Sequence, residues 1–262
     1  MFSPYIALMK LRVVELLVVT TIPALFLASR GIPPIGVSAA TLLGGTLAAG
    51  AANAFNMIIE SDIDQLMGRT SKRPIVNKEI TETQALIFAF SITAISLSIF
   101  WFFTTELATA LTAGAIIFYV FIYTIGLKRR TNQNIVWGGI AGCFPVIIGW
   151  AAITNSLSWT AALFFLVVFF WTPPHFWALA IKYREDYSAA GIPMLPSVAP
   201  IGEVAKQMWF HTLAMFATSF LTLWSANAPL WSYLVALALA IFFGYLMRGL
   251  TGVDSEKVAM RV

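Results

Sequence analysis

Eight apolar runs, each near the ~20 residues needed to cross a bilayer, follow one another along the chain. They lie at Leu11–Ala28, Val37–Ile59, Gln84–Phe103, Leu107–Ile125, Ile135–Ile153, Trp159–Ile181, Met208–Ala226 and Leu230–Met247. Thr104-Thr105-Glu106 is a very short turn between the third and fourth. The polar breaks alternate in kind. Arg30–Ile35, Thr154–Ser158 and Asn227–Pro229 are brief and nearly uncharged, whereas Glu60–Thr83 and Lys182–Lys206 are long and charged. Each long break follows an acidic helix end and soon meets proline, at Arg73-Pro74 and at Ile192-Pro193-Met-Leu-Pro196. They come four helices apart, after the second and sixth runs, as in a duplicated four-helix unit; membrane proteins often build sites at repeat interfaces. The pattern predicts an all-α polytopic bundle of about eight transmembrane helices, two four-helix halves around a central cavity. Residues 1–262 read as one transmembrane domain.

Composition agrees with that pattern. Of 262 residues 59% are hydrophobic and 11% charged, against about 25% charged in a soluble domain. Eight spans place both termini on one side and sort the basic residues, putting fifteen of the sixteen Lys and Arg on one face and only Arg30 on the other. The positive-inside rule makes the crowded face, with the N-terminus, cytoplasmic. The net charge of +4 is then mostly topology and no sign of nucleic-acid binding. The lone Cys143 lies in the fifth run, so no intrachain disulfide is expected. The first helix begins within about a dozen residues, without the pattern of a cleaved signal or transit sequence, which favours a cell (inner) membrane.

The chemistry concentrates at Asn56-Met-Ile-Ile-Glu60-Ser-Asp62-Ile-Asp64, where a greasy run ends in three carboxylates. At 100° per residue Asn53, Asn56, Glu60 and Asp64 fall within about 80° of one another, while Asp62 points the opposite way. Two amides and two carboxylates on one face can bind Mg²⁺ and leave positions for water and phosphate. The plainer alternative is a set of acids meeting water at a helix end. A helix C-terminus disfavours anions, however, and the stripe continues into amides at membrane depth.

Arg69 and Arg73 follow at once, and Lys128, Arg129 and Arg130 stand at the next inward break. All suit plain topology, yet guanidinium forks beside metal-binding acids can clamp phosphate oxygens. On the sixth run, two prolines precede His175, and His175, Lys182 and Asp186 share a face within about 40°. His211 has fewer polar companions. Lys10 and Arg12 can snorkel to headgroups, and Glu15 then needs a basic partner among them. Trp101, Trp159 and Trp231 sit where an interfacial belt is expected; aromatic rings lining an internal cavity would instead hold a prenyl chain or a carbocation.

Asn56-x-x-x-Glu60-x-x-x-Asp64, followed by Arg69-Thr and Arg73-Pro, resembles the first aspartate-rich motif of the UbiA-type intramembrane prenyltransferases. Tyr123–Asn134, Trp171-Thr-Pro-Pro-His-Phe-Trp177 and Glu185–Pro196 narrow the resemblance to the protohaem farnesyltransferase (haem O synthase) branch. The resemblance implies transfer of a farnesyl group from farnesyl diphosphate to a vinyl group of haem B. It implies Mg²⁺ held by Asn56, Glu60, Asp64 and Asp186, with Asp64, Asp186, His175 and Lys182 as catalytic candidates. Asn53, Asn56, Arg69, Arg73, Lys128, Arg129, Tyr123 and Arg12 are then the candidates for substrate contact. The implied partners are the lipid bilayer and a haem-A-forming enzyme or terminal oxidase assembly. Three departures stand out. Glu60 replaces the usual Asp, Lys182 replaces the first Asp of the second motif, and the chain stops where a ninth span would begin. Two other functions fit parts of the pattern: prenylation of a different aromatic acceptor, or ion-coupled transport through acids in the membrane.

Overall fold

The computed structural model describes residues 3–68 and 70–250; Arg69, Lys257 and Arg261 lie outside the described residues. Within them the elements are α1 Ser3–Met9, α2 Leu11–Ser29, α3 Ile35–Ile59, α4 Ser61–Asp64, α5 Glu82–Phe103 and α6 Glu106–Ile117. After α6 the chain continues as π-helix over Phe118–Leu127. Then come α7 Asn134–Gly138, α8 Ile140–Thr154, α9 Trp159–Lys182, α10 Arg184–Ala189, α11 Leu195–Val198, α12 Ile201–Ser225 and α13 Leu230–Met247. Among the described residues seven stretches are long and apolar enough to cross a membrane: α2, α3, α5, α6 with its π extension, α7 with α8, α9 and α13. The protein is a multi-pass membrane protein. The eighth expected span, Met208–Ala226, corresponds to α12, which begins seven residues earlier at Ile201, ends one residue sooner at Ser225 and carries Glu203, Lys206 and Gln207 in its first turns. Its length suits a span, but His211 and the scattered Thr, Ser and Trp residues beyond that start leave it less apolar than the seven.

The chain divides into two compact units, one of residues up to Gly126 with Phe144–Leu157, the other of Leu127–Cys143 with Ser158 onward. The division departs from a simple split after the fourth span, and two glycines show why. A Cβ on Gly149 would sit 3.2 Å from the Thr21 side chain and 3.3 Å from Ala24, so the later part of α8 packs tightly on α2. A Cβ on Gly139 would sit 2.9 Å from Thr172, so the stretch before α8 packs tightly on α9.

In the first unit α3 and α5 lie side by side. A Cβ on Gly44 would come within 2.8 Å of the Phe100 ring, and the Ser96 hydroxyl donates to the Gly44 carbonyl at 2.7 Å. In lipid such close backbone approach and interhelical hydrogen bonding hold helices together, because apolar side chains gain little by leaving lipid for protein. Thr81 and Gln84 form a capping box that starts α5. Near the end of α3 that leads into α4, a core of Leu8, Ala54, Met57, Ile75, Ile80, Ala85 and Ala89 binds α1, α3, α5 and the loop between α4 and α5. In the second unit α12 packs along α9, tied by Thr160 Oγ1 to Ser225 Oγ at 2.6 Å and by the edge of His211 against Trp177 at 5.4 Å. Trp101, Trp159 and Trp231 are all exposed, as an interfacial belt requires.

Candidate active site

The polar stripe of the first unit is built by backbone geometry. α3 ends at Ile59, yet Glu60 N–H still donates to the Asn56 carbonyl at 3.0 Å and Asp64 N–H to the Glu60 carbonyl at 2.9 Å. One-turn spacing therefore carries through the junction into α4 and stacks Asn56, Glu60 and Asp64. They are 1%, 2% and 3% exposed, with Asn53 at 5%, whereas Asp62 is exposed. Buried carboxylates need partners. Arg73 Nη1 is ion-paired with Asp64 Oδ2. The loop that brings Arg73 there is held by the Thr70 hydroxyl, which donates to the Asp64 carbonyl at 3.0 Å, and by Arg73 N–H on the Thr70 carbonyl at 3.0 Å. Buried Ile75 and Ile80 anchor its far end in the core.

Two further groups close the stripe. Lys10 Nζ donates to Asn56 Oδ1 at 2.7 Å, and Asn53 Nδ2 donates to the Met9 carbonyl at 2.9 Å. Asn56 Nδ2 donates to Thr124 Oγ1 at 3.3 Å, and that hydroxyl donates to the Tyr119 carbonyl at 2.9 Å. Thr124 belongs to the π-helical stretch, an irregularity often found at functional sites. Sequence reasoning assigned Lys10 to lipid and passed over Thr124. A buried threonine amid an apolar run was the available signal for the latter; nothing local marks a lysine whose partner lies 46 residues away. Tyr123 is half-buried beside Tyr119, ring centroids 5.5 Å apart. Arg12 and Glu15 are on exposed positions of α2.

The remaining candidates lie in the second unit. The half-buried Lys128 accepts Asn134 Nδ2 on its carbonyl at 3.0 Å, and Arg129 is exposed. α9 runs unbroken through Pro173 and Pro174. His175 is exposed, its ring stacked on Trp171 at 4.4 Å and 18°. Lys182, also exposed, is on the same helix face. Asp186 does not continue that helix, contrary to expectation. Tyr183 breaks it at φ −103°, ψ 28°, and Asp186 stands half-buried in the first turn of the separate α10. His211 is buried among Phe170, Trp177 and Phe210, with Nδ1 2.9 Å from the Gln207 carbonyl, so this nitrogen carries the proton. Among the described residues, the buried Trp177 Nε1–H and Asn134 Oδ1 have no hydrogen-bond partner.

Among the described residues no three His, Cys, Asp or Glu side chains gather into a metal-binding group. The first unit offers hard oxygen donors from Glu60, Asp64 and Asn56, beside the guanidinium of Arg73. That donor set fits Mg²⁺, which keeps several waters and commonly takes one or two carboxylates plus phosphate oxygens.

An all-helical membrane protein with a buried amide–carboxylate stripe and arginine at one helix mouth has the makings of an intramembrane diphosphate enzyme. The UbiA prenyltransferase family model matches residues 17–261, and the chain belongs to that family. It is 52% identical over 261 residues to the "Protoheme IX farnesyltransferase" of Frankia casuarinae, covering 98% of this chain and 86% of that one. It is 49% identical to the protein of that name from Paenarthrobacter aurescens, covering 100% of this chain and 83% of the relative. Solved structures share the fold. A UbiA homolog from Archaeoglobus fulgidus bound to DMAPP and Mg²⁺ aligns at a TM-score of 0.74 and 15% identity, covering 93% of this chain and 86% of that one. A digeranylgeranylglyceryl phosphate synthase aligns at 0.80 and 16% identity, over 99% and 91%.

Proposed function

We propose that this chain is a single prenyltransferase domain that transfers the farnesyl group of farnesyl diphosphate to a vinyl group of haem B. The bond between the allylic carbon and the diphosphate oxygen breaks, and a bond forms from that carbon to the vinyl carbon. Water then adds to the porphyrin side chain and loses a proton, giving haem O and diphosphate. What supports this reading is the buried stripe Asn56–Glu60–Asp64 with its arginine partner, in a chain whose relatives carry the protoheme IX farnesyltransferase name.

Asn56, Glu60 and Asp64 would hold Mg²⁺, which when bound withdraws charge from the leaving diphosphate; in the other unit, Asp186 is the acid we propose as a Mg²⁺ ligand. Arg73 and Arg69 neutralise the charge that grows on its oxygens as the allylic bond stretches; Lys128 and Arg129 are the basic candidates for substrate contact in the other unit. Asn53 holds the stripe in place through Met9, and Tyr123 and Arg12 border the substrate. Burial keeps water from the allylic cation until the vinyl carbon attacks. His175, with its ring set by Trp171, orients the porphyrin or moves the proton released by water, and Lys182 stands on the same face. The enzyme sits in the cell (inner) membrane with N-terminus and acidic stripe on the cytoplasmic side, and passes its product to a haem-A-forming enzyme or an oxidase assembly.

The test is the haem extracted from cells making the protein. A mass gain equal to a farnesyl group plus water is expected; unaltered haem B overturns the assignment. Supplying membranes with haem B or with 4-hydroxybenzoate identifies the acceptor, since only haem B should be alkylated.

A further inference from the structure

Lys10 joins α1 to α2 in the left-handed conformation, φ 51° and ψ 56°. A residue with a Cβ is held there only when its surroundings over-determine it. They do. Leu8 is fully buried in the inner core, Asn53 ties down the Met9 carbonyl, and Gly50 leaves room for Met9, whose Cε would lie 2.6 Å from a Cβ at that position. The kink aims the lysine side chain at the stripe, where its ammonium meets Asn56 Oδ1 at 2.7 Å. The amide is oriented from its other side, because Nδ2 is engaged by Thr124. Asn56 Oδ1 therefore faces a cation already, one helical turn from Glu60.

We propose that Lys10 is a resident stand-in for the divalent cation. Its ammonium occupies Asn56 Oδ1 until a cation–diphosphate pair arrives, then yields that oxygen to the cation and turns to a phosphate oxygen. The inference rests on the stripe being a cation–diphosphate site. It follows that the cation alone must compete with a tethered ammonium and binds weakly, whereas with diphosphate the displaced ammonium gains a new anionic partner. The site thus discriminates against bare divalent cations and favours the substrate that brings its own.

The experiment uses the full chain in nanodiscs of neutral lipid, with Mn²⁺ binding read by electron paramagnetic resonance, with and without inorganic pyrophosphate. Lys10→Met should bind Mn²⁺ alone several-fold more tightly, while Mn²⁺-dependent pyrophosphate binding weakens roughly tenfold or more with the loss of a charge-assisted contact. Lys10→Gln keeps a donor to Asn56 without the charge; it should behave like Lys10→Met, whereas a merely structural lysine would be rescued by it. Both affinities falling together, or neither moving, overturns the stand-in role. Asp64→Asn should abolish Mn²⁺ binding with and without pyrophosphate. If it does not, the cation–diphosphate reading itself fails and the inference falls with it.

Discussion

Asp64 is 3% exposed and paired with one guanidinium. Removing one member of a buried pair leaves the other uncompensated, at a cost of about 3–5 kcal/mol. Arg73→Gln should therefore lower the thermal unfolding midpoint of the purified protein, and adding Asp64→Asn should restore part of it, because the double variant buries no orphaned charge. A double variant no more stable than Arg73→Gln would mean that the pair contributes little to the fold. Activity should separate the two roles. Asp64→Asn abolishes diphosphate release while the protein still assembles, and retained turnover in membranes would overturn its place at the reacting phosphates. Part of this was legible in the sequence: four residues at 3- and 4-residue spacing define one helix face whatever surrounds it. Lys10 was not, because its target depends on a backbone kink and on packing that brings residue 10 against residue 56.

At the scale of elements, the apolar runs mark the helices closely, with α13 coinciding at both ends and α2 differing by a single residue. Lipid forces each buried backbone group to be satisfied within the segment, so a long apolar run has few alternatives to helix. What breaks a helix is less visible. The change to π-helix at Phe118 and the end of α9 at Tyr183 come with no proline or glycine at either point to announce them. Helix contacts, in turn, depend on small residues at particular faces. Gly44→Leu forces a side chain into the Phe100 ring and should destabilise by about 1–3 kcal/mol, the usual cost of overpacking. Gly45→Ala is the control: a Cβ there meets nothing within 4 Å. It should be neutral or stabilise by up to about 1 kcal/mol through helix propensity. Thermal unfolding of the two variants in one detergent checks the contrast; equal losses would show that α3 does not approach α5 as closely as described.

At the scale of the whole molecule, charge and apolar surface divide the labour of orientation. Exposed Trp101, Phe102 and Phe103 close α5, and exposed Leu230 and Trp231 open α13, so the segment ends are apolar where headgroups begin. None of this says which end faces the cytoplasm. With eight spans that information would lie in a distribution of fifteen basic residues against one, since retaining Lys and Arg on the cytoplasmic side sets the orientation of the spans. Cys143, the sole cysteine, offers a direct check, because it is buried with its Sγ 3.2 Å from the Gly139 carbonyl, a contact that serine can keep. In a Cys143→Ser background, Ser156→Cys places a thiol on an exposed turn after α8, and Thr83→Cys places one on the exposed first turn of α5. A membrane-impermeant maleimide applied to intact cells should label the Ser156→Cys protein and leave the Thr83→Cys protein untouched until the membrane is opened. The reverse pattern would put the acidic stripe outside, away from cytoplasmic farnesyl diphosphate. Labelling of both from outside would show that the span count between them is even.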